Sequence, residues 1–61
     1  MVDLRRIRQE RGFTLKQLGE MAGLDDSYIS LIENQKRTPS VQAAKRIAKV
    51  LGFDWTRFFD K

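Results

Sequence analysis

The sequence contains no cysteine and no histidine. The first absence excludes a disulfide framework, and the two together remove the usual zinc and iron ligand sets, so neither staple of very small folds is available. No apolar stretch approaches the roughly 20 residues of a membrane span, and the N-terminal MVDLRRIRQE lacks the apolar segment of a signal peptide. A soluble cytoplasmic chain is expected. Nowhere do apolar and polar residues alternate for long enough to support a half-buried strand. Internal repeats, linkers and low-complexity segments are also missing. At 61 residues and 7.1 kDa the chain allows one domain, spanning 1–61, with no room for a second, effector-sensing one. Side-chain packing has to hold it together.

What is present is a helical pattern nearly throughout. Leu4, Ile7, Arg8 and Arg11 fall at i, i+3, i+4, i+7, so a first helix turns Leu4 and Ile7 to a core and stops at Gly12, a natural residue just past a helix end. Phe13 anchors the connection. Thr14 and Gln17 have the spacing of a capping box, which starts a second helix near Leu15. Its buried stripe would be Leu15, Leu18, Gly19 and Ala22, and the two small residues suggest a close crossing. Gly23 ends it, with Leu24 packing under the turn. Asp25 caps a third helix over Ser27 to Asn34, with Ile29, Ile32 and Tyr28 as its inward residues. After the polar loop Gln35-Lys36-Arg37-Thr38-Pro39, Ser40 caps a fourth helix with Val41, Ala44, Ile47, Ala48 and Leu51 on one face, closed by Gly52. The tail opens with a capping Asp54. Its Trp55, Phe58 and Phe59 suit core closure or a dimer contact better than base stacking, and removing Trp55 from a core would cost about 3–5 kcal/mol.

Charge is unevenly placed. Lys and Arg number 12 against 8 Asp and Glu, a net of +4 with a pI near 10.0, which points to a polyanionic partner. The stretch from Gly19 to Asn34 nevertheless holds Glu20, Asp25, Asp26 and Glu33 and no base, whereas Gln35 to Phe53 holds five bases and no acid. Lys45, Arg46 and Lys49 within the latter read as the solvated face of helix four, and Arg5 and Arg6 as surface. Ser27 and Ser30 have no base beside them in the sequence pattern, so nucleophilic catalysis has no support. The chain is not expected to be an enzyme, and no cofactor, metal or small-molecule effector is implied.

Helix, short glycine turn, helix is the arrangement in which the second member can enter the major groove of DNA. The strings Thr14-Leu15-Lys16-Gln17-Leu18-Gly19, Gly23-Leu24, Tyr28-Ile29-Ser30-Leu31-Ile32-Glu33-Asn34 and Lys36-Arg37-Thr38-Pro39-Ser40 make this specific. They resemble the phage repressor and Cro family (Xre-like), from about Leu4 to Phe58. The resemblance implies an all-α, lambda-repressor-like bundle of four or five helices with a helix-turn-helix formed by helices two and three. It also implies sequence-specific binding of duplex DNA, usually as a dimer on a palindrome. Arg8 and Glu33 match the family's partly buried ion pair. Gly19 stands where the family usually has alanine. Gln35 stands where it usually has glycine, so either Gln35 or Asn34 must take a left-handed conformation.

At about 100° per residue, Asp26, Ser27, Ser30, Leu31 and Asn34 share one outward arc of the third helix. Of these, Asp26, Ser27, Ser30 and Leu31 are the candidate base readers: serine hydroxyls suit any base, a leucine suits a thymine methyl, and an aspartate accepts from a cytosine amino group. Lys16, Gln17, Tyr28, Asn34, Lys36, Arg37 and Ser40 are the candidate phosphate contacts. The function expected is a DNA-binding transcriptional regulator, a repressor above all, acting as a homodimer on a palindromic operator at the nucleoid. A protein-interaction adaptor or antitoxin of the same fold, meeting its partner with the acidic third helix, is the alternative. A sequence-indifferent nucleoid binder is a third possibility.

Overall fold

In the computed structural model, which describes residues 2–60, the chain forms α1 (Leu4–Glu10), α2 (Leu15–Ala22), α3 (Asp26–Glu33) and α4 (Val41–Leu51), followed by a single 3-10 turn, Trp55–Phe58. Every element begins on a side chain that accepts from an otherwise unpaired backbone N–H. Asp3 accepts from Arg6, Asp25 from Ser27, Ser40 from Ala43 and Asp54 from Thr56. Thr14 and Gln17 complete the expected box, with Thr14 Oγ1 accepting from the Gln17 amide at 3.1 Å and Gln17 Oε1 from the Thr14 amide at 2.9 Å. The ends are equally local. Gly12 N donates to Gln9 O and Phe13 N to Arg8 O, the bond pair that closes a helix when the residue past its cap is left-handed.

The end of α3 uses the same closure without a glycine. Gln35 N donates to Ile32 O, Lys36 N donates to Leu31 O, and Gln35 takes a φ of 59°. Of the two residues open to this role, Asn34 remains at a φ of −88°. A side chain in the left-handed region costs roughly 1–2 kcal/mol, part of which glycine's greater freedom in the unfolded chain cancels, about 0.4–1 kcal/mol. Gln35→Gly is therefore expected to stabilise the domain by about 0.5–1 kcal/mol, read as a higher midpoint in urea with an unchanged slope. A lowered midpoint would contradict the assignment of strain to this residue.

α2 packs on α3 and on α4, the 3-10 turn lies across α4, and α1 lies against α3. The core they enclose is built on Leu18, Ile29, Ile47, Leu51 and Phe58, joined by Val2, Leu4, Ala22, Ile32 and Ala44. Two expectations need correcting. Val41 is 51% exposed and Ala43 is buried in its place. The stripe Ala43, Ala44, Ile47, Ala48, Leu51 is centred about 90° round the helix from residue 41, at 100° per residue. In the tail, Phe58 is the side chain that closes the core, while Trp55 is only half-buried and Phe59 is exposed. Val2, ahead of the first helix, also joins the core.

The small residue in α2 makes room for the turn and for the first residue of α3. A Cβ on Gly19 would stand 2.7 Å from the Leu24 carbonyl oxygen and 3.4 Å from the Asp26 nitrogen. Both are backbone atoms and cannot rotate aside. Gly19→Val is expected to cost about 1–3 kcal/mol, the usual range for overpacking, and to lower the melting temperature by several degrees per kcal/mol. An unchanged melting temperature would mean that the turn yields freely.

Candidate nucleic-acid interface

Three residues, Gly23-Leu24-Asp25, join α2 to α3. Gly23 has a φ of 69°, and Leu24 N donates back to Gly19 O at 2.9 Å while its side chain packs against the core. The angle between the two helices is thus set by backbone bonds and one apolar anchor. With Ile29 and Ile32 turned inward, the opposite side of α3 faces solvent. Asp26 and Ser27 are exposed there, Leu31 is 40% exposed, and Ser30 is half-buried.

The far end of α3 is held by charge. Arg8 is 9% exposed, and its Nε and Nη2 donate to the two Glu33 carboxylate oxygens at 2.6 and 3.3 Å, while Nη1 donates to Phe13 O at 2.8 Å. The Glu33 side chain is 1% exposed and also accepts from Arg5 Nε at 3.3 Å. Two guanidinium groups on one face of α1 therefore grip one carboxylate at the end of α3. This changes the electrostatics read from the sequence. Glu33 belongs to that clamp, so the exposed acids of the stretch are Glu20, Asp25 and Asp26. The Asp25 carboxyl is held below its ordinary value, first by the Ser27 hydroxyl and then by the Ser27 amide, so it stays charged. Ser27 Oγ donates to it at 2.7 Å and presents only its lone pairs outward.

The residues proposed for phosphate divide into two groups. Lys16, Lys36, Arg37 and Ser40 are exposed at the two ends of the helix-turn-helix. Gln17 is exposed too, and with its oxygen engaged in the capping box its amide hydrogens are free to donate. Tyr28 and Asn34, by contrast, make internal bonds. The Tyr28 hydroxyl accepts from Ser40 N at 3.1 Å, tying α3 to the start of α4, and the Arg37 guanidinium lies 5.3 Å from its ring centre. Asn34 Oδ1 accepts from Arg5 Nη2 at 2.8 Å, and its Nδ2 donates to Ser30 O at 2.8 Å and Ser30 Oγ at 3.4 Å.

Two arginines were not singled out from the sequence for the roles they play. Arg5 contributes to the Glu33 clamp, a role hinted at only by its spacing of three from Arg8 on the same helix face. Arg11 Nε donates to Leu51 O at 2.9 Å and so caps the C-terminal end of α4, where the helix dipole favours a cation. Lys45, Arg46 and Lys49 are exposed along α4, with Lys45 Nζ 5.0 Å from the Trp55 ring centre.

Comparison with known proteins places this geometry. A family profile described as helix-turn-helix matches residues 4–58. The chain is 44% identical over 57 residues to the Bacillus subtilis protein YqaF, an uncharacterised HTH-type transcriptional regulator, covering 93% of this chain and 75% of that one. It is 34% identical over 58 residues to the Escherichia coli HTH-type transcriptional regulator PuuR, covering 95% of this chain but 31% of PuuR. Among solved structures, SinR in complex with DNA, described as the master regulator for biofilm formation, superposes with a TM-score of 0.83 at 34% identity, covering 93% of this chain and 92% of that one.

Proposed function

The chain belongs to the helix-turn-helix family, and from that premise we propose that it is a transcriptional regulator that binds duplex DNA with α3 in the major groove. The observation that carries the proposal is the disposition of side chains around α3. Its inward side is spent on Ile29 and Ile32, its outward side offers Asp26, Ser27, Ser30 and Leu31, and cations stand at both flanks in Lys16, Lys36 and Arg37. Side chains on the helix read base edges, while the flanks fix position on the backbone. With Ser27 offering lone pairs, its natural counterpart is an exocyclic amino group, on adenine or cytosine. The SinR complex with DNA supports docking of this kind. Repression by occupancy of an operator, at the nucleoid in the cytoplasm, is the action proposed. As a homodimer the protein would meet half-sites about 34 Å apart on a palindrome.

Selection on a randomised duplex library at roughly physiological salt tests this directly. An enriched palindrome with half-site centres one helical turn apart is the expected result. One unpaired half-site would remove the dimer and keep the function. The division of labour has its own test in binding to the selected duplex and its single-base variants. Ser27→Asn or Leu31→Gln is expected to change which site is preferred. Lys36→Ala or Arg37→Ala is expected to weaken every site alike and to reduce the salt slope by about 0.9 for each phosphate that is no longer neutralised. Equal effects from both groups on every sequence would contradict the assignment.

The second reading is an adaptor or antitoxin that turns α3 to a basic protein partner. It draws on the run from Gly19 to Asn34 that holds no base. Withdrawal of Glu33 into the clamp weakens it, because the exposed acids of that run fall from four to three and, of those, Asp26 alone lies on the outward arc. No enriched sequence, from a folded sample with little duplex affinity at any salt, is the outcome that would favour it.

A further inference from the structure

The amide of Asn34 has one possible orientation. Arg5 offers only donors, so the atom facing its Nη2 at 2.8 Å must be the Asn34 oxygen. The Ser30 carbonyl only accepts, so the atom facing it at 2.8 Å must be the Asn34 nitrogen. The two contacts agree. The same nitrogen also lies 3.4 Å from Ser30 Oγ, which makes the serine oxygen an acceptor on that side and leaves its own hydrogen for another partner. Behind this stands the Glu33 carboxylate, 1% exposed, which holds the Arg5 guanidinium by its Nε at 3.3 Å. A continuous set of hydrogen bonds thus runs from a buried anion through Arg5 and Asn34 to a hydroxyl on the outward arc of α3.

We propose that Arg5, acting through Asn34, is a positioning residue that sets Ser30 as a hydrogen-bond donor to the edge of a base. The proposal rests on the reading of α3 as the DNA-reading helix and deepens it. A serine hydroxyl is by itself indifferent, able to donate or accept. With one lone pair faced by Asn34, Ser30 directs its hydrogen outward and selects an acceptor: N7 or O6 of guanine, N7 of adenine, or O4 of thymine. Arg5 exercises this control from α1 without touching DNA, and Asn34 serves it in place of a phosphate contact.

The test is a double-mutant cycle on the selected duplex and its single-base-pair variants, at several salt concentrations. Ser30→Ala is expected to relax preference at one base pair. Arg5→Ala should reduce discrimination at that same pair by three- to tenfold, leave other positions and the salt slope unchanged, and add nothing in the Ser30→Ala background. Arg5→Lys keeps the charge without the two-pronged geometry and should behave like Arg5→Ala. Arg5 is half-exposed and Arg8 keeps its own bonds to Glu33, so these variants remain folded, as thermal melts will verify. Removing the acceptors of that pair one at a time should abolish the wild-type preference at one of them. The substitutes are 7-deazapurine for N7, 2-aminopurine for guanine O6 and 5-methylpyrimidinone for thymine O4. A uniform loss at every sequence with a salt slope smaller by about 0.9 would make Arg5 a phosphate contact and overturn the proposal. So would additive effects of the two substitutions, or preservation of preference in Arg5→Ala when Ser30→Ala relaxes it, with the reading of α3 left standing. Failure of the wild-type chain to enrich any sequence would overturn both.

Discussion

Arg8→Ala is expected to destabilise the domain by about 3–5 kcal/mol, the range for removing one partner of a buried ion pair. The magnitude follows from what stays behind. Glu33 is 1% exposed and would keep a single contact, from Arg5 at 3.3 Å, in place of three. The Phe13 carbonyl would be deprived of the Arg8 Nη1 donor at the same time. A domain of this length has roughly 3–9 kcal/mol in total, at 0.05–0.15 kcal/mol per residue, so the variant would be largely unfolded at ordinary temperature. Arg8→Lys keeps the charge but cannot bond both carboxylate oxygens and Phe13 together, and should fall between. The pair Arg8→Met with Glu33→Leu should recover most of the loss, because a buried pair exchanged for apolar residues of similar volume is often neutral or better. Urea unfolding of the three variants decides the matter. Loss of less than about 0.5 kcal/mol in Arg8→Ala would show that water or Arg5 satisfies Glu33.

If the ordering holds, the clamp's value lies in where it puts α3. α1 touches α3 at the end opposite the glycine turn, so the turn fixes one end of the reading helix and the Arg8–Glu33 pair fixes the other. The Arg5–Asn34 contact reaches the reading face from the same clamp. On the proposed role of α3, stability and base reading would meet at one carboxylate. Destabilised variants need their binding measured well below their melting temperatures.

The elements were legible because each is delimited locally. Thr14 with Gln17, and the single caps Asp25, Ser40 and Asp54, act on amides two or three residues away. Gly23 and Gly52 stop helices through their own φ values. The apolar spacing then assigned Leu18, Ala22, Ile29, Ile32, Ala44, Ile47 and Leu51 to one core. Of the candidate site, the division of α3 into an inward and an outward face was legible, since projection at 100° per residue separates the buried Ile29 and Ile32 from the exposed Asp26, Ser27 and Leu31. What did not follow is whatever depends on the direction of a long or branched side chain in three dimensions. Arg5 reads as a surface cation and Arg11 only as a member of the stripe with Leu4, Ile7 and Arg8, yet one clamps Glu33 and the other caps α4 from 40 residues away. Asn34 lies on the outward arc, yet its amide turns back to Arg5 and Ser30. The count of acids along Gly19 to Asn34 is correct as arithmetic and misleading as electrostatics, because a buried pairing far away in sequence removes one of them from the surface.

Phe58→Ala is expected to cost about 3–5 kcal/mol, and Trp55→Ala clearly less, the reverse of what residue size suggests. Phe58 is 2% exposed, packs on α4 and meets the Phe53 ring at 5.4 Å between centres, tilted by 52°. Trp55 is half-buried at the edge of the core, between the Phe59 ring, 6.1 Å away, and the Lys45 ammonium, 5.0 Å away, so truncating it removes part of a core contact at a site open to solvent rather than opening an enclosed cavity. The arrangement follows from the tail's geometry. Asp54 caps a single 3-10 turn, in which residues three apart eclipse, so Trp55 and Phe58 share the side of the turn that faces α4, with Phe58 enclosed and Trp55 at the edge. Because Phe58→Ala would exhaust most of the stability of so small a domain, Phe58→Leu gives the graded comparison, with a loss of about 1–1.5 kcal/mol for a substitution that keeps most of the volume. Concentration dependence separates packing within the chain from packing between chains. A loss in Phe58 variants that is the same at every protein concentration places the side chain in the core, as described. A Trp55→Ala loss that grows as the protein is diluted would instead make Trp55 and the exposed Phe59 part of a dimer contact. Equal losses at the two positions at all concentrations would contradict the division between them.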